Sequence, residues 1–101
     1  MLETTMLIGL NDKDTKTQLV STEHAKTIVN EVVGDCSILT QDGYYTHDDG
    51  TKVHEVSFRV TMWGGNTRDR LSQKNRLKAI LNQESIGHKF TEIPDDDMDF
   101  S

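Results

Sequence analysis

Hydrophobic residues recur along the chain at spacings that predict alternating strands and helices. The short apolar run Met6–Leu10 is typical of a buried strand. From Ala25 to Val33 the apolar residues follow the helical spacing i, i+3, i+4, i+7 and i+8, which predicts an amphipathic helix. Ser21 is placed to cap the start of this helix, and Gly34 is placed to end it.

The middle of the chain predicts a β-hairpin. Strand-forming residues fill 36–46, and in 56–63 apolar side chains alternate with polar ones, as in a strand with one buried and one open face. Asp49-Gly50 is the strongest turn signal, because both central residues of a tight hairpin turn need a positive φ. Pairing through this turn puts Leu39 on the buried face and leaves Ile38 on the open face.

Two further elements complete the expected fold. Gly64-Gly65 ends the hairpin, either Asn66 or Thr67 can cap a second helix, and residues 86–93 form a last strand. The order β-α-β-β-α-β predicts an α+β, ferredoxin-like fold, which is a four-stranded antiparallel sheet with two helices on one face. We expect a single domain over residues 1–93 and an acidic C-terminal tail over residues 94–101.

Composition narrows the class of protein. The 101 residues suit one folded domain, and 11 basic against 17 acidic residues give a formal charge of −6. This charge argues against a protein whose whole surface binds duplex DNA or an anionic membrane. The apolar run near the start is too short for a signal-peptide core or a membrane span, so we expect a cytoplasmic protein.

The residue types that carry chemistry form no recognisable catalytic or metal-binding pattern. The single cysteine, Cys36, excludes an intrachain disulfide and a multi-cysteine zinc site, and none of the four histidines belongs to a known ligand pair. Asp12 and Asp14 begin a calcium-loop pattern, but Lys16 and Thr17 stand where that pattern needs an oxygen ligand and a glycine. We therefore expect no metal site, no cofactor and no enzymatic activity.

Acidic residues form the first candidate binding surface, at the hairpin tip and in the tail. Spaced carboxylates can imitate the phosphates of a nucleic acid and occupy a basic groove on a protein. The residues of this surface are Asp48, Asp49, Asp95, Asp96, Asp97 and Asp99, with the aromatic Phe100 beside them.

Basic residues of the second predicted helix form an alternative surface. A cluster of cations on one helix is the usual electrostatic footprint of nucleic-acid binding, although it is also common on an ordinary solvated helix. The residues are Arg68, Arg70, Lys74, Arg76 and Lys78.

The segment Ile8–Gln18, together with Ser21-Thr22-Glu23, resembles small uncharacterised proteins carried by phages and mobile elements of Gram-positive bacteria. The likeness continues through Asp48-Asp49-Gly50 and Leu81–Ser85, so it spans most of the chain. This resemblance implies an accessory protein of a mobile element. Many such small acidic proteins bind a host or defence component, and anti-CRISPR proteins are among them.

Three functions are open on this basis. We favour a non-enzymatic protein-binding module, an inhibitor that presents its acidic residues to a basic surface of a host or defence-system protein that handles nucleic acid. The second function is nucleic-acid binding by the basic helix. The third is a small dimeric ligand-binding protein or enzyme of ferredoxin-like fold, in which two open sheet faces enclose a pocket walled by Arg59 and Trp63.

Overall fold

The computed structural model of the protein describes residues 1–97 and 99. In this part of the chain the strands pair antiparallel in the order β2-β3-β1-β4. The elements are β1 (Leu2–Gly9), α1 (Thr22–Val33), β2 (Ser37–Thr46), β3 (Lys52–Trp63), α2 (Thr67–Ile80) and β4 (Gly87–Glu92), followed by a 3-10 turn at Asp95–Asp97. This arrangement confirms the predicted α+β, ferredoxin-like fold.

Both helices cover the same face of the sheet, and the core lies between them and the sheet. Alternate residues of β1 and β3 point toward the helices, because successive side chains of a strand point to opposite faces. Removing this apolar surface from water is the main favourable term in folding. The buried apolar side chains of these strands and helices are Met6 and Ile8 of β1, Phe58, Val60 and Met62 of β3, Ala25, Val29 and Val33 of α1, and Leu77 of α2.

Side-chain caps define where both helices begin, as the sequence predicts. The Ser21 hydroxyl accepts a hydrogen bond from the His24 N–H at 3.1 Å, and the Asn66 side chain accepts one from the Asp69 N–H at 2.8 Å. Gly34 follows α1 with a φ of 77°, a conformation that glycine adopts without strain. The local signals in the sequence therefore set these helix boundaries.

The register of the hairpin differs by one residue from the prediction. Ile38 packs against the core, whereas Leu39 pairs with Arg59 and is 57% exposed on the open face. The His47 N–H donates to the Thr51 carbonyl at 2.8 Å, so the loop contains an odd rather than an even number of residues. A shift of one residue moves every side chain of a strand to the other face. The longer loop thus decides which of the two neighbouring apolar residues is buried.

The hairpin extends beyond the rest of the sheet. β1 accompanies β3 only as far as the pairing of Gly9 with Ser57, whereas β2 and β3 stay paired up to Thr46 and Lys52. We call residues 42–56 the arm. Because of this extension, the molecule measures 49 Å along its longest axis and 24 and 23 Å along the other two.

The end of β4 is held against the start of the chain. The Met1 ammonium donates to the Glu92 carboxylate at 3.0 Å, to the Ile93 carbonyl at 2.6 Å and to the Asp95 carboxylate at 3.3 Å. The hydrogen bond to Glu92 is the main cause of the raised pKa of this ammonium group. The division into a domain over 1–93 and a tail over 94–101 stays a prediction.

Within the described residues, neither α-helix has the length and apolar character that a membrane-spanning helix needs.

Candidate functional site

The predicted acidic residues do not form one continuous surface. Asp48 and Asp49 lie in the exposed turn at the tip of the arm, whereas Asp95–Asp97 lie beyond β4 at the opposite end of the sheet. The 12 residues of β3 connect these two ends, a distance of about 35 Å at the usual rise of a strand. Asp99 follows the second group in sequence, and Phe100 lies outside the described residues. The role of these residues in binding stays a prediction.

Two of these acids make local contacts. The Asp49 carboxylate accepts a hydrogen bond from the Thr51 N–H at 2.9 Å, which lowers the pKa of Asp49 and stabilises the turn. Asp95 contacts the Met1 ammonium. Both carboxylates thus have a structural role that needs no partner protein.

The predicted basic face of α2 must be corrected at Arg70. This side chain is 7% exposed, and its guanidinium donates to the carbonyls of Val33 and Gly64, each at 3.3 Å. It joins the end of α1 to the turn before α2, because an arginine presents several N–H donors in a fixed plane. Arg70 is therefore a structural residue that is not accessible to a nucleic acid.

The other four basic residues of α2 do not share one environment. Lys74 contacts the ring nitrogen Nδ1 of His88 at 2.7 Å. Arg68, Arg76 and Lys78 are exposed. At about 100° per residue, Arg76 and Lys78 lie on widely separated sides of the helix. Nucleic-acid binding by this helix stays a prediction that rests on fewer side chains than the sequence suggests.

The part of the chain that the structure describes offers neither a metal-binding site nor a cysteine suited to nucleophilic chemistry. No three histidine, cysteine, aspartate or glutamate side chains come together there in a way that could hold a metal ion. Cys36 is partly buried, and this burial raises the pKa of its thiol. A raised pKa lowers the thiolate fraction near neutral pH and makes the residue a poor nucleophile.

A cleft lies at the base of the arm, where the loop after β1 and the turn after α2 approach it. Its volume is about 300 Å³, at the lower end of the range for small-molecule sites. We call it the arm-base cleft. Its lining includes the aromatic ring of Tyr45 and the charged side chains of Asp12, Lys13, Lys16, Glu55 and Glu84.

Glu55 is the acid that the arm contributes to this cleft, and contacts with the loop after β1 hold it in place. One of its carboxylate oxygens accepts a hydrogen bond from the Asn11 N–H at 3.0 Å, and the Asn11 side chain donates to the His54 carbonyl at 3.4 Å. A Cβ atom at Gly9 would come within 2.7 Å of the Glu55 carboxyl group. The missing side chain of Gly9 thus leaves the space that this carboxylate occupies.

The loop that carries the two lysines is organised by the buried carboxylate of Asp12. It accepts hydrogen bonds from the N–H groups of Asp14 and Thr15, both at 2.9 Å, and from the Asn82 side chain at 2.7 Å. These bonds, above all the one from Asn82, lower the pKa of Asp12. The partial calcium-loop pattern of the sequence is explained by this role, since the carboxylate binds main-chain and amide N–H groups.

The cleft carries both signs of charge. Lys13 and Lys16 come from the loop after β1, Glu55 comes from the arm, and Glu84 comes from the turn after α2. Tyr45 adds an aromatic ring from the arm. Such a site can hold a small molecule that combines a cationic group, an anionic group and a flat ring.

Sequence reasoning missed this cleft. Glu55 belongs to no motif, and it meets Asn11 only because β3 runs beyond the end of β1. In the sequence, Lys16 stands out only as a departure from the calcium-loop pattern. One signal was available, because Glu55 is the single acid within β3 and lies in phase with the residues of the open face.

Solved structures of other proteins share this fold, whereas no protein-family profile and no curated protein sequence matches the chain. A phage SAM lyase in complex with S-methyl-5′-thioadenosine is 23% identical, with a TM-score of 0.61 over 90% of this chain and 80% of that chain. A phage SAM lyase in the apo state is 22% identical, with a TM-score of 0.62 over 90% and 79% of the two chains. The divalent cation tolerance protein CutA1 from Thermus thermophilus is 20% identical, with a TM-score of 0.54 over 90% and 84%. At these identities the likeness establishes the fold.

This comparison contradicts the expectation that the protein is not an enzyme. The fold that covers nine tenths of this chain is also that of an enzyme, the phage SAM lyase. The expectation rested on the lack of a catalytic pattern in the sequence. The lack of a sequence pattern does not exclude catalysis, because residues far apart in the sequence, such as Lys16 and Glu55, line one cleft in the folded chain.

The expected phage or mobile-element setting is matched in part. Two of the structures with this fold are of a phage protein. The Gram-positive origin and the anti-CRISPR activity find no counterpart among them.

Proposed function

We propose that this chain is a small ligand-binding enzyme whose arm-base cleft binds S-adenosylmethionine and the thioether derived from it. The observation that carries the proposal is the Glu55 carboxylate, which the Asn11 N–H fixes at 3.0 Å inside the cleft. The choice of ligand is supported by the phage SAM lyase of the same fold, which was solved with S-methyl-5′-thioadenosine.

The cleft offers a partner for each part of this ligand. The sulfonium group is a cation, and the Glu55 carboxylate attracts it in a half-buried setting where charges are less screened than in water. The amino-acid carboxylate is an anion, which Lys13 or Lys16 can bind through a charge-assisted hydrogen bond. The adenine ring is flat and suits stacking on Tyr45.

The same carboxylate suits cleavage at a sulfonium. When the bond between sulfur and the amino-acid chain breaks, its electron pair stays on sulfur, and the cation becomes a neutral thioether. In an elimination, the carbon adjacent to the one that was bonded to sulfur gives a proton to Glu55, and the electrons of that C–H bond form a double bond between these two carbons. The products are then S-methyl-5′-thioadenosine and an unsaturated amino acid.

The test of this function compares Glu55→Gln with the unchanged protein. Titration calorimetry measures the binding of S-adenosylmethionine and S-methyl-5′-thioadenosine, and chromatography follows the formation of the thioether. We expect the unchanged protein to bind and convert the sulfonium compound, and Glu55→Gln to lose about 10²-fold or more of the rate, as for removal of a catalytic base.

The matched control is Glu31→Gln, which removes the same charge from an exposed position on α1. It should bind and react as the unchanged protein does. If the unchanged protein binds neither compound, the proposal is wrong. Equal rates for Glu55→Gln and Glu31→Gln would remove Glu55 from the reaction.

Inhibition of a host or defence protein, as by anti-CRISPR proteins, has less support. The acids that would imitate nucleic acid are divided between Asp48 and Asp49 at one end of the sheet and Asp95–Asp97 at the other. Nucleic-acid binding by α2 loses Arg70 to the interior.

A further inference from the structure

The turn after α2 is joined to the loop after β1 by one residue, Asn82. Its side-chain Nδ2 donates to the Asp12 carboxylate at 2.7 Å and to the Asp14 carboxylate at 2.9 Å. The Asn82 carbonyl accepts a hydrogen bond from the Lys13 N–H at 3.0 Å. A single residue thus makes three contacts with the loop that carries the two lysines of the arm-base cleft.

The backbone at this junction adopts a conformation that is uncommon outside glycine. In the part of the chain that the structure describes, two non-glycine residues have a positive φ, Lys16 at 62° and Asn82 at 47°. Such conformations cost free energy, persist where the surroundings stabilise them and concentrate at functional sites. The Lys16 N–H donates to the Asp12 carbonyl at 2.8 Å. The contacts of Asp12 and Asn82 therefore hold the main chain of the lysine that lines the cleft.

An amide side chain is well suited to this position, because it offers two N–H donors and carries no charge. Asp12 and Asp14 would otherwise bring two like charges together with no donor between them. Across the described residues, neither the Lys13 nor the Lys16 ammonium forms a salt bridge, although both acids belong to the same loop. The amide thus engages the acids that are closest in sequence to the lysines.

We propose that Asn82 is a positioning residue that makes the arm-base cleft selective for a ligand with a carboxylate. This inference rests on the proposed function, in which Lys13 or Lys16 binds the amino-acid carboxylate of S-adenosylmethionine. By engaging two acids of the loop, the Asn82 amide leaves the ammonium groups available to the ligand. Without the amide, these acids would pair with the lysines and compete with the ligand carboxylate.

The attraction of the sulfonium group does not depend on the Asn82 side chain. Glu55 accepts its hydrogen bond from the Asn11 N–H, and the Asn11 carbonyl accepts one from the Gln83 side chain at 2.8 Å. A ligand that keeps the sulfonium and the adenine but lacks the carboxylate should therefore bind independently of Asn82. Decarboxylated S-adenosylmethionine is such a ligand.

The test measures how strongly both compounds bind to the unchanged protein and to Asn82→Gly, by titration calorimetry. Glycine adopts a positive φ without strain, so this substitution removes the amide and keeps the shape of the turn. We expect the unchanged protein to prefer S-adenosylmethionine by about tenfold, as for one hydrogen bond between charged groups. Asn82→Gly should lose this preference and bind the decarboxylated compound as the unchanged protein does.

The matched control is Asn75→Gly, which makes the same replacement at an exposed position of α2 outside the cleft lining. It should keep the preference, and a loss of preference there as well would trace the effect to helix stability and overturn the inference. Asn82→Asp decides the matter if Asn82→Gly does not fold. Aspartate has the same shape and also tolerates a positive φ, but its carboxylate donates no hydrogen bond, so the preference should again be lost.

The outcomes separate this inference from the proposed function. If the unchanged protein binds neither compound, the proposed function is wrong and the inference falls with it. If it binds both compounds equally, or if the preference survives in Asn82→Gly or Asn82→Asp, the inference alone is wrong. An equal loss of affinity for both compounds in Asn82→Gly would also overturn it, because a general structural role for Asn82 would then explain the result.

Discussion

Strand β3 belongs to two regions of the molecule that differ in almost every property. From Ser57 to Trp63 it lies between β1 and β2, and its inward side chains Phe58, Val60 and Met62 are at most 1% exposed. In the arm the same strand has lost β1, and exposed aromatic residues lie beside it on β2. One continuous strand thus passes from the core to a solvent-exposed ribbon.

The comparison teaches that the packed core and the proposed binding cleft lie at different ends of one strand. The inner half buries apolar surface and holds the sheet together. The outer half supplies the Glu55 carboxylate and lies beside the Tyr45 ring of the arm-base cleft. Substitutions in the inner half should therefore change the free energy of unfolding, and those in the outer half should change binding.

The largest expected effect is on the free energy of unfolding, for a substitution in the core. Phe58→Ala should lower the free energy of unfolding by about 3–5 kcal/mol, because it leaves a cavity that the surroundings fill only in part. Tyr44→Ala, on the arm, should cost about 1 kcal/mol or less, mainly by loss of its stacking on His54 at 4.8 Å. Urea unfolding of both variants checks this. Equal costs would show that the arm contributes to the fold as much as the core does.

A smaller loss in the free energy of unfolding is expected for a substitution at Arg70, at the edge of the core. Arg70→Ala leaves the carbonyls of Val33 and Gly64 without their guanidinium partner and should cost about 1–3 kcal/mol. Arg76→Ala removes an exposed arginine of the same helix and should change stability by less than about 0.5 kcal/mol. Thermal and urea unfolding measure the stability of both variants. If Arg70→Ala is as stable as Arg76→Ala, the buried guanidinium contributes no net stability.

A change at Gly9 should separate binding from stability. Gly9→Ala places a methyl group where the Glu55 carboxyl lies, 2.7 Å away in the present geometry, so the acid must move. We expect S-adenosylmethionine, whose sulfonium the Glu55 carboxylate attracts, to bind about tenfold more weakly, a change of about 1.4 kcal/mol, with little change in the free energy of unfolding. Gly43→Ala is the control, since the nearest atom to its added Cβ is at an ordinary 3.5 Å. Unchanged affinity in Gly9→Ala would show that the position of Glu55 does not matter for this ligand.

The smallest expected effect is at Asp12, on the way the free energy of unfolding changes at acidic pH. The pKa of Asp12 is lowered in the folded protein, so the folded state binds fewer protons than the unfolded state near that pKa. The stability that Asp12 contributes is complete above its unfolded pKa and is lost as the pH falls through its folded pKa. Asp12→Asn should therefore show a weaker loss of stability in acid than the unchanged protein, whereas exposed Asp35→Asn should match it. Parallel acid profiles for the unchanged protein and Asp12→Asn would contradict this.

Helix ends were predictable because they depend on short stretches of sequence. Ser21, Gly34 and Asn66 act on residues within four positions of themselves in the chain, and their positions match the observed boundaries. The strand order followed from the order of elements for a similar reason, since few topologies accommodate β-α-β-β-α-β. These features need no knowledge of distant contacts.

The placement of Glu55 and Arg70 was less predictable, because each depends on contacts far along the chain. Glu55 is placed by Asn11, which is 44 positions away, and Arg70 is buried by Val33, which is 37 positions away. Arg70 shares its charge and its neighbours in sequence with the exposed cations of α2. Composition therefore could not separate a structural arginine from a binding one.

The sequence by itself determined the periodicity of the elements, the helix caps, the fold class and the net charge, because these depend on neighbouring residues or on simple sums. Tertiary structure alone decided that Ile38 rather than Leu39 faces the core, that Arg70 is buried and that Glu55 lines a cleft. The physical reason is that strand register and the burial of a side chain are settled by long-range packing. A change of one residue in a loop is enough to move a side chain from the core to the solvent.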